Sequence, residues 1–214
     1  MSQIAFTALD AAPVPYAATP TLAVRLRLEA PAGDVIHSIA LRCQIRIEPQ
    51  RRRYSADEEA RLLELFGETP RWGDTLKPFL WTHVSTMVVG FAGGTDVELQ
   101  VPCTYDLDVA AAKYFHALGD GEIPLILLFS GTVFAKGDGG ALRVTQIPWD
   151  REARLRLPVQ TWRELVDRYF PNSGWLRLRR DTLDALLRVK ARRALVTWDD
   201  VLAALLRAAG EEAA

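Results

Sequence analysis

Apolar and polar residues alternate strictly along parts of this chain, and any fold it adopts must satisfy that period of two. Val24, Leu26 and Leu28 fall on one side, with Arg25, Arg27 and Glu29 on the other. After Pro31-Ala32-Gly33-Asp34 the pattern resumes, with Ile39, Leu41, Cys43, Ile45 and Ile47 set against Ala40, Arg42, Gln44, Arg46 and Glu48. Side chains of a strand point alternately to its two faces, so each stretch reads as a strand with one dry and one wet face. The four-residue link predicts a hairpin of antiparallel neighbours. A third stretch keeps phase from Val97 through Leu99, Val101, Cys103, Tyr105 and Leu107 to Val109, which predicts one long strand. Pro102 lacks an N–H and assigns that strand to an edge or a bulge.

Elsewhere the period changes. Ser55 with Glu58 forms a capping box, Leu62, Leu63, Leu65 and Phe66 an apolar stripe, and Gly67 a stop, which together predict a helix over 56–66. Residues 80–89 read as a strand, 110–118 as a helix closed by Gly119, 124–134 as the most buried strand, and 142–147 as a strand entered from a hairpin loop. Beyond Pro158 helical spacing takes over. Thr161 with Glu164 predicts a second capping box, Asp181 the cap of a helix bearing Leu183, Leu186 and Leu187, and Thr197 with Asp200 a third box ahead of Val201, Leu202, Leu205 and Leu206. The expected class is α+β. An antiparallel sheet or sandwich core spans about residues 3–157 with short covering helices, and a helical, basic region over 158–214 packs on it as one structural unit.

Such a core needs apolar mass. With 214 residues, 49% of them hydrophobic, and eight Phe, six Trp and five Tyr, the chain has enough for one large domain. Its start, MSQIAFTALDAAP, has neither the basic region nor the apolar run of a secretory leader, and no stretch reaches 18 uncharged apolar residues. The expectation is a cytoplasmic chain without membrane insertion. Cys43 and Cys103, both in apolar surroundings, read as reduced, buried thiols.

Residues that carry chemistry are sparse. His37, His83 and His116 have no ligand spacing, and no CxxC, HxxxH, GxSxG, GxGxxG or GxxxxGK[ST] motif occurs. His83, beside Trp81, reads as a buried, hydrogen-bonded imidazole. Ser130-Gly131 reads as a strand bulge rather than a nucleophile elbow, and Asp106 and Asp108 as a solvated strand face. No cofactor and no catalytic residue is predicted. His83, Cys103 and Asp106 remain as dispersed candidates for a metal or for catalysis, the alternative in which the protein is an enzyme or metal carrier.

Charge gives a sharper lead. The net charge of −1 conceals a segment from Arg151 to Arg193 with twelve Arg and Lys against five acids, net +7, leaving −8 elsewhere. Guanidinium groups there suit bidentate pairing with carboxylates, and a whole-chain pI near 6.3 argues against nucleic acid. Trp175, Arg177, Arg179, Arg180, Arg188, Arg192 and Arg193 are therefore the candidate partner-binding residues, with an acidic protein or the chain's own acidic portion opposite them. A further alternative is a homo-oligomeric structural protein whose strand edges pair.

The stretches Arg71-Trp72-Gly73-Asp74-Thr75-Leu76, Phe79-Leu80-Trp81-Thr82-His83-Val84, Leu128-Phe129-Ser130-Gly131-Thr132-Val133-Phe134 and Arg168-Tyr169-Phe170-Pro171 carry a likeness that covers nearly the whole chain. In these the chain resembles a bacterial family, classed as a domain of unknown function, that is associated with gene clusters of actinobacterial-type high-affinity NiFe hydrogenases. The resemblance implies a cytosolic accessory role in hydrogenase maturation or assembly, with a hydrogenase subunit or maturation factor as protein client. It assigns no activity to any residue.

Overall fold

The two alternating stretches become the central strands of two different sheets. A computed structural model describes residues 4–103, 109–137, 140–171 and 178–211. Eight strands and six α-helices occur among them: β1 (Ala5–Pro13), β2 (Thr21–Glu29), β3 (Val35–Ile47), α1 (Ala56–Phe66), α2 (Trp72–Thr75), β4 (Phe79–Ala92), β5 (Gly94–Pro102), α3 (Val109–Ala117), β6 (Glu122–Lys136), β7 (Leu142–Gln146), β8 (Glu152–Pro158), α4 (Val159–Tyr169), α5 (Arg180–Arg192) and α6 (Trp198–Ala209). The class is α+β with an antiparallel sheet core, as the periodicity predicts.

The hairpin expected between β2 and β3 does not form. β2 pairs with β1 and β5 in a three-stranded sheet, and β3 pairs with β4 and β6 in a five-stranded one. The turn is local and correct, since the Asp34 N–H donates to Pro31 O at 3.0 Å. The chain nevertheless arches from one sheet into the other, so β2 and β3 each have both edges paired, which gives the backbone groups of a buried strand partners on both sides. Their dry faces meet across the interior: Leu22, Val24, Leu26 and Leu28 from one sheet, Ile39, Leu41, Cys43, Ile45 and Ile47 from the other, all nearly fully buried in one core. Each such side chain contributes about 1.5–3 kcal/mol. Phe6 of β1 stacks on Phe129 of β6 with centroids 4.4 Å apart, bridging the sheets.

β6 is the longest strand, and its free edge has two successive partners. Its first half, to Leu128, pairs with β8, and its second half, from Thr132, pairs with β7. Ser130 and Gly131 lie at the handover, where the Phe129 N–H donates to Arg151 O and the Ile147 N–H to Gly131 O, both at 2.9 Å. The expected bulge is absent from the β3–β6 ladder, which runs without a break through Ser130 and Gly131; its register shift lies at Ile36/Ser38. Gly131 is needed for a close approach instead, because a Cβ there would sit 2.0 Å from the backbone oxygen of Ala40. The strand predicted from Val97 to Val109 is shorter: β5 ends at Pro102 on the sheet edge, Val109 opens α3, and residues 104–108 lie outside the described ones.

Helix boundaries follow the caps where the caps are real. Ser55/Glu58 and Thr197/Asp200 form complete capping boxes at α1 and α6. Thr161 does not cap α4, which begins two residues earlier behind Pro158, and α5 is preceded by Arg179, with Asp181 inside its first turn. The chain divides into two compact units, Met1–Ser173 and Gly174–Ala214. α4 belongs to the first: it packs on β1 and β8 and buries Val159, Trp162 and Leu165. None of the described helices is long and apolar enough to cross a membrane.

Candidate functional site

The dispersed candidates for chemistry are not brought together. His83 lies on the outer face of β4, exposed and opposite Gln44, so it is not the buried imidazole that its apolar neighbours predict. A register shift between Ile45 and Arg46 leaves Trp81 as the extra residue, so Trp81 and Val84 both turn inward and His83 turns out. Cys103 follows β5 in the other sheet, with its Sγ 3.5 Å from Val101 O; Asp106 lies outside the described residues. No group of three or more His, Cys, Asp or Glu that would hold a metal ion occurs among the described residues. Ser130 is an exposed strand residue opposite Arg42.

Cys43 is buried as expected, whereas Cys103 is half-buried, and the surroundings at each site favour the neutral thiol. Burial pushes the Cys43 thiol from an ordinary 9.0 up to about 12, and burial likewise pushes Cys103 to about 12. In the unfolded chain both ionise near 9. Stability that is complete below pH 9 is therefore lost as pH rises toward 12, by about 1.4 kcal/mol per pH unit for each thiol. Urea midpoints should fall across that window, and less steeply in Cys43→Ala. A midpoint that stays flat to pH 12 would contradict the burial of these groups.

The densest polar constellation escaped the sequence reading, although its capping box was visible. The Glu58 carboxylate, its side chain 3% exposed, accepts from Arg52 at 2.8 Å, from the Ser55 N–H at 3.0 Å and from the Gly119 N–H at 2.7 Å. Burial alone would raise its pKa; those donors outweigh burial and hold it below the usual carboxylate range. Beside it the Tyr54 hydroxyl donates to Pro49 O at 2.7 Å and lies 2.8 Å from the Tyr114 hydroxyl. Tyr114 packs edge-on against Phe66 and Phe79. The donors and acceptors are matched and fixed, an arrangement that pins α1 and α3 across the end of the sandwich. A surface depression of about 260 Å³ lies outside these helices, lined by Arg61, Glu64, Leu65, Lys113, His116 and Ala117, but Lys113 and Glu64 pair across it.

The second unit differs in kind. α5 is a 13-residue amphipathic helix with no buried residue; Leu183 and Leu187, one turn apart, are 38% and 45% exposed, and Leu206 of α6 is 41% exposed. Val201 is the buried residue of α6. Arg180, Arg188, Arg192 and Arg193 are exposed and make no ion pair among the described residues, while Arg179 pairs only with Asp181, at 3.6 Å. On helical spacing Arg180 borders the Leu183–Leu187 stripe, with Arg188 and Arg192 beyond it. Trp175 and Arg177 of the predicted set lie outside the described residues.

A family model described as "Family of unknown function (DUF6084)" matches residues 1–214. The chain belongs to the DUF6084 family. That membership agrees with the part of the resemblance that placed it in a domain family of unknown function. No curated protein matches this DUF6084 member. Among solved structures it is similar to a Se-Met labelled β-glucosidase from Kluyveromyces marxianus, at 8% identity and a TM-score of 0.26, over 73% of this chain and 15% of that one. It is also similar to β-glucosidase 3B from Thermotoga neapolitana in complex with α-D-glucose, at 12% identity and a TM-score of 0.26, over 72% of this chain and 17% of that one. Likenesses at that level carry no argument about fold or function.

Proposed function

We propose that this protein is a non-enzymatic accessory or assembly factor that binds a protein client through the α5–α6 unit. The carrying observation is that α5 presents Leu183 and Leu187 to solvent with Arg180 at the edge of that apolar stripe, where it makes no ion pair among the described residues. Such a surface matches a client segment with apolar residues flanked by carboxylates, the arrangement of a helix-in-groove or patch contact. The resemblance to proteins encoded with NiFe hydrogenases points to a hydrogenase subunit or maturation factor as that client, within the cytoplasm.

The test is co-purification of the full chain with the separate hydrogenase subunits and maturation factors at rising salt. Capture at low ionic strength should fade toward about 0.5 M salt, because exposed charge pairs are screened within roughly a Debye length. Leu183→Ser/Leu187→Ser should abolish capture, and Arg180→Glu/Arg188→Glu should weaken it about tenfold or more. No binding to any of these proteins at low salt, or binding indifferent to all four substitutions, would refute the reading.

A further inference from the structure

Among the described residues, every strand edge of the sandwich but one is protected. β1 carries a register shift at Ala8/Asp10, ends in Pro13 and packs against α4; β5 carries Asp96 and Glu98 and ends in Pro102. β4 runs against β5, and β8 against β1. These are the devices by which sheets avoid edge-to-edge pairing. β7 has none of them. It is the terminal strand of the five-stranded sheet, all five of its residues are exposed, and it contains neither Pro, Lys nor an acid. Its single charge, Arg143, pairs with Asp34 at 2.7 Å.

The direction of its backbone groups follows from two bonds. The Ile147 N–H donates to Gly131 O and the Gly137 N–H to Ala141 O, so the odd-numbered residues of β7 turn their backbone toward β6. Alternation then turns the N–H and C=O of Leu142, Val144 and Gln146 outward. The next outward position is Pro148, which has no N–H and ends the row.

We infer that β7 pairs antiparallel with β7 of a second copy, about a two-fold axis at Val144. The edge is complementary to itself in hydrogen bonding and in charge. Val144 meets Val144 of the second copy, Leu142 meets its Gln146, and every outward N–H finds an outward C=O. Arg143 falls opposite Thr145, so no like charges face each other. The outer face of the joined sheet becomes continuous: Val144 lies beside Phe134, and both rows meet at the axis, covering side chains such as Val144, now 53% exposed. An extended peptide of another protein would satisfy the same groups; self-pairing is favoured because one register satisfies all of them on both sides at once.

Sedimentation velocity and native mass spectrometry on the full chain test this. The wild type should dimerise in the micromolar range. Val144→Lys and Val144→Asp, each at an exposed position, should fold with unchanged thermal melts yet self-associate about tenfold more weakly or worse, because like charges face across the axis. Mixing the two variants should restore a 1:1 heterodimer, which only a 144-to-144 contact explains. Concentration-dependent protection of the Val144 and Gln146 amides against hydrogen exchange gives a readout without substitution. A wild type monomeric to about 100 µM overturns the inference, as do variants that each dimerise as well as the wild type. Neither result bears on client capture by α5–α6, which rests on different residues.

Discussion

Glu58→Ala should cost about 3–5 kcal/mol, enough to consume much of the stability of an ordinary domain. The loss is far larger than that of a helix cap because the carboxylate does three things at once. It neutralises Arg52, whose side chain is 8% exposed, it caps α1 through the Ser55 N–H, and it receives the Gly119 N–H from beyond the end of α3. Alanine leaves a nearly buried guanidinium without a counter-charge, which carries a large desolvation cost, and the Ser55 and Gly119 N–H groups without their acceptor. Ser55→Ala removes only the hydroxyl that accepts from the Glu58 N–H at 3.3 Å, and should cost about 1 kcal/mol. Urea titration of the two variants checks the ratio; equal losses would mean that the Arg52–Glu58 pair contributes nothing beyond capping.

Gly131→Ala should be as severe, for a steric reason. Gly131 has φ +138°, a region that L side chains rarely adopt, and the added Cβ would lie 2.0 Å from Ala40 O and 3.1 Å from Ala40 C. Both contacts are backbone, in the middle of the β3–β6 ladder, where neither strand can yield without breaking pairs on its other edge. We expect a loss of about 4 kcal/mol or more, seen as a fall in Tm on the order of 10 °C or as insoluble protein. Gly73→Ala is the control. Gly73 lies in α2, its Cβ would meet nothing within 4 Å, and the change should be neutral or stabilising by up to about 1 kcal/mol. A Gly131→Ala protein as stable as the control would refute the close approach.

Those two sites divide sharply in how far sequence foretold them. The Ser55/Glu58 box was legible because a capping box is a relation between residues three apart. Its buried cation was not, since Arg52 reaches Glu58 only once the loop after β3 folds back over the end of the sandwich, and Gly119 arrives from sixty-one residues further along the chain. Likewise Ser130-Gly131 showed itself as an irregularity within an apolar run. That the irregularity is a close approach to Ala40, at a change of partner from β8 to β7, depends on strands that the run does not contain. The candidate partner surface was half legible: the arginines and the leucine spacing of α5 are written in the chain, but exposure of Leu183 and Leu187 is a property of what does not cover them.

What the chain determined by itself are the relations of short range. The period of two assigned the dry faces of β2 and β3, the boxes opened α1 and α6, and Pro102 put β5 on a sheet edge, because each depends on backbone geometry within a few residues. Tertiary structure alone decided partners. The Pro31–Asp34 turn suits a hairpin equally well, yet β2 and β3 part into separate sheets because each then has two paired edges and one dry face against the other. One extra residue at Trp81 then turned His83 from the core to solvent, a reversal set by register with β3, which no local pattern in β4 specifies.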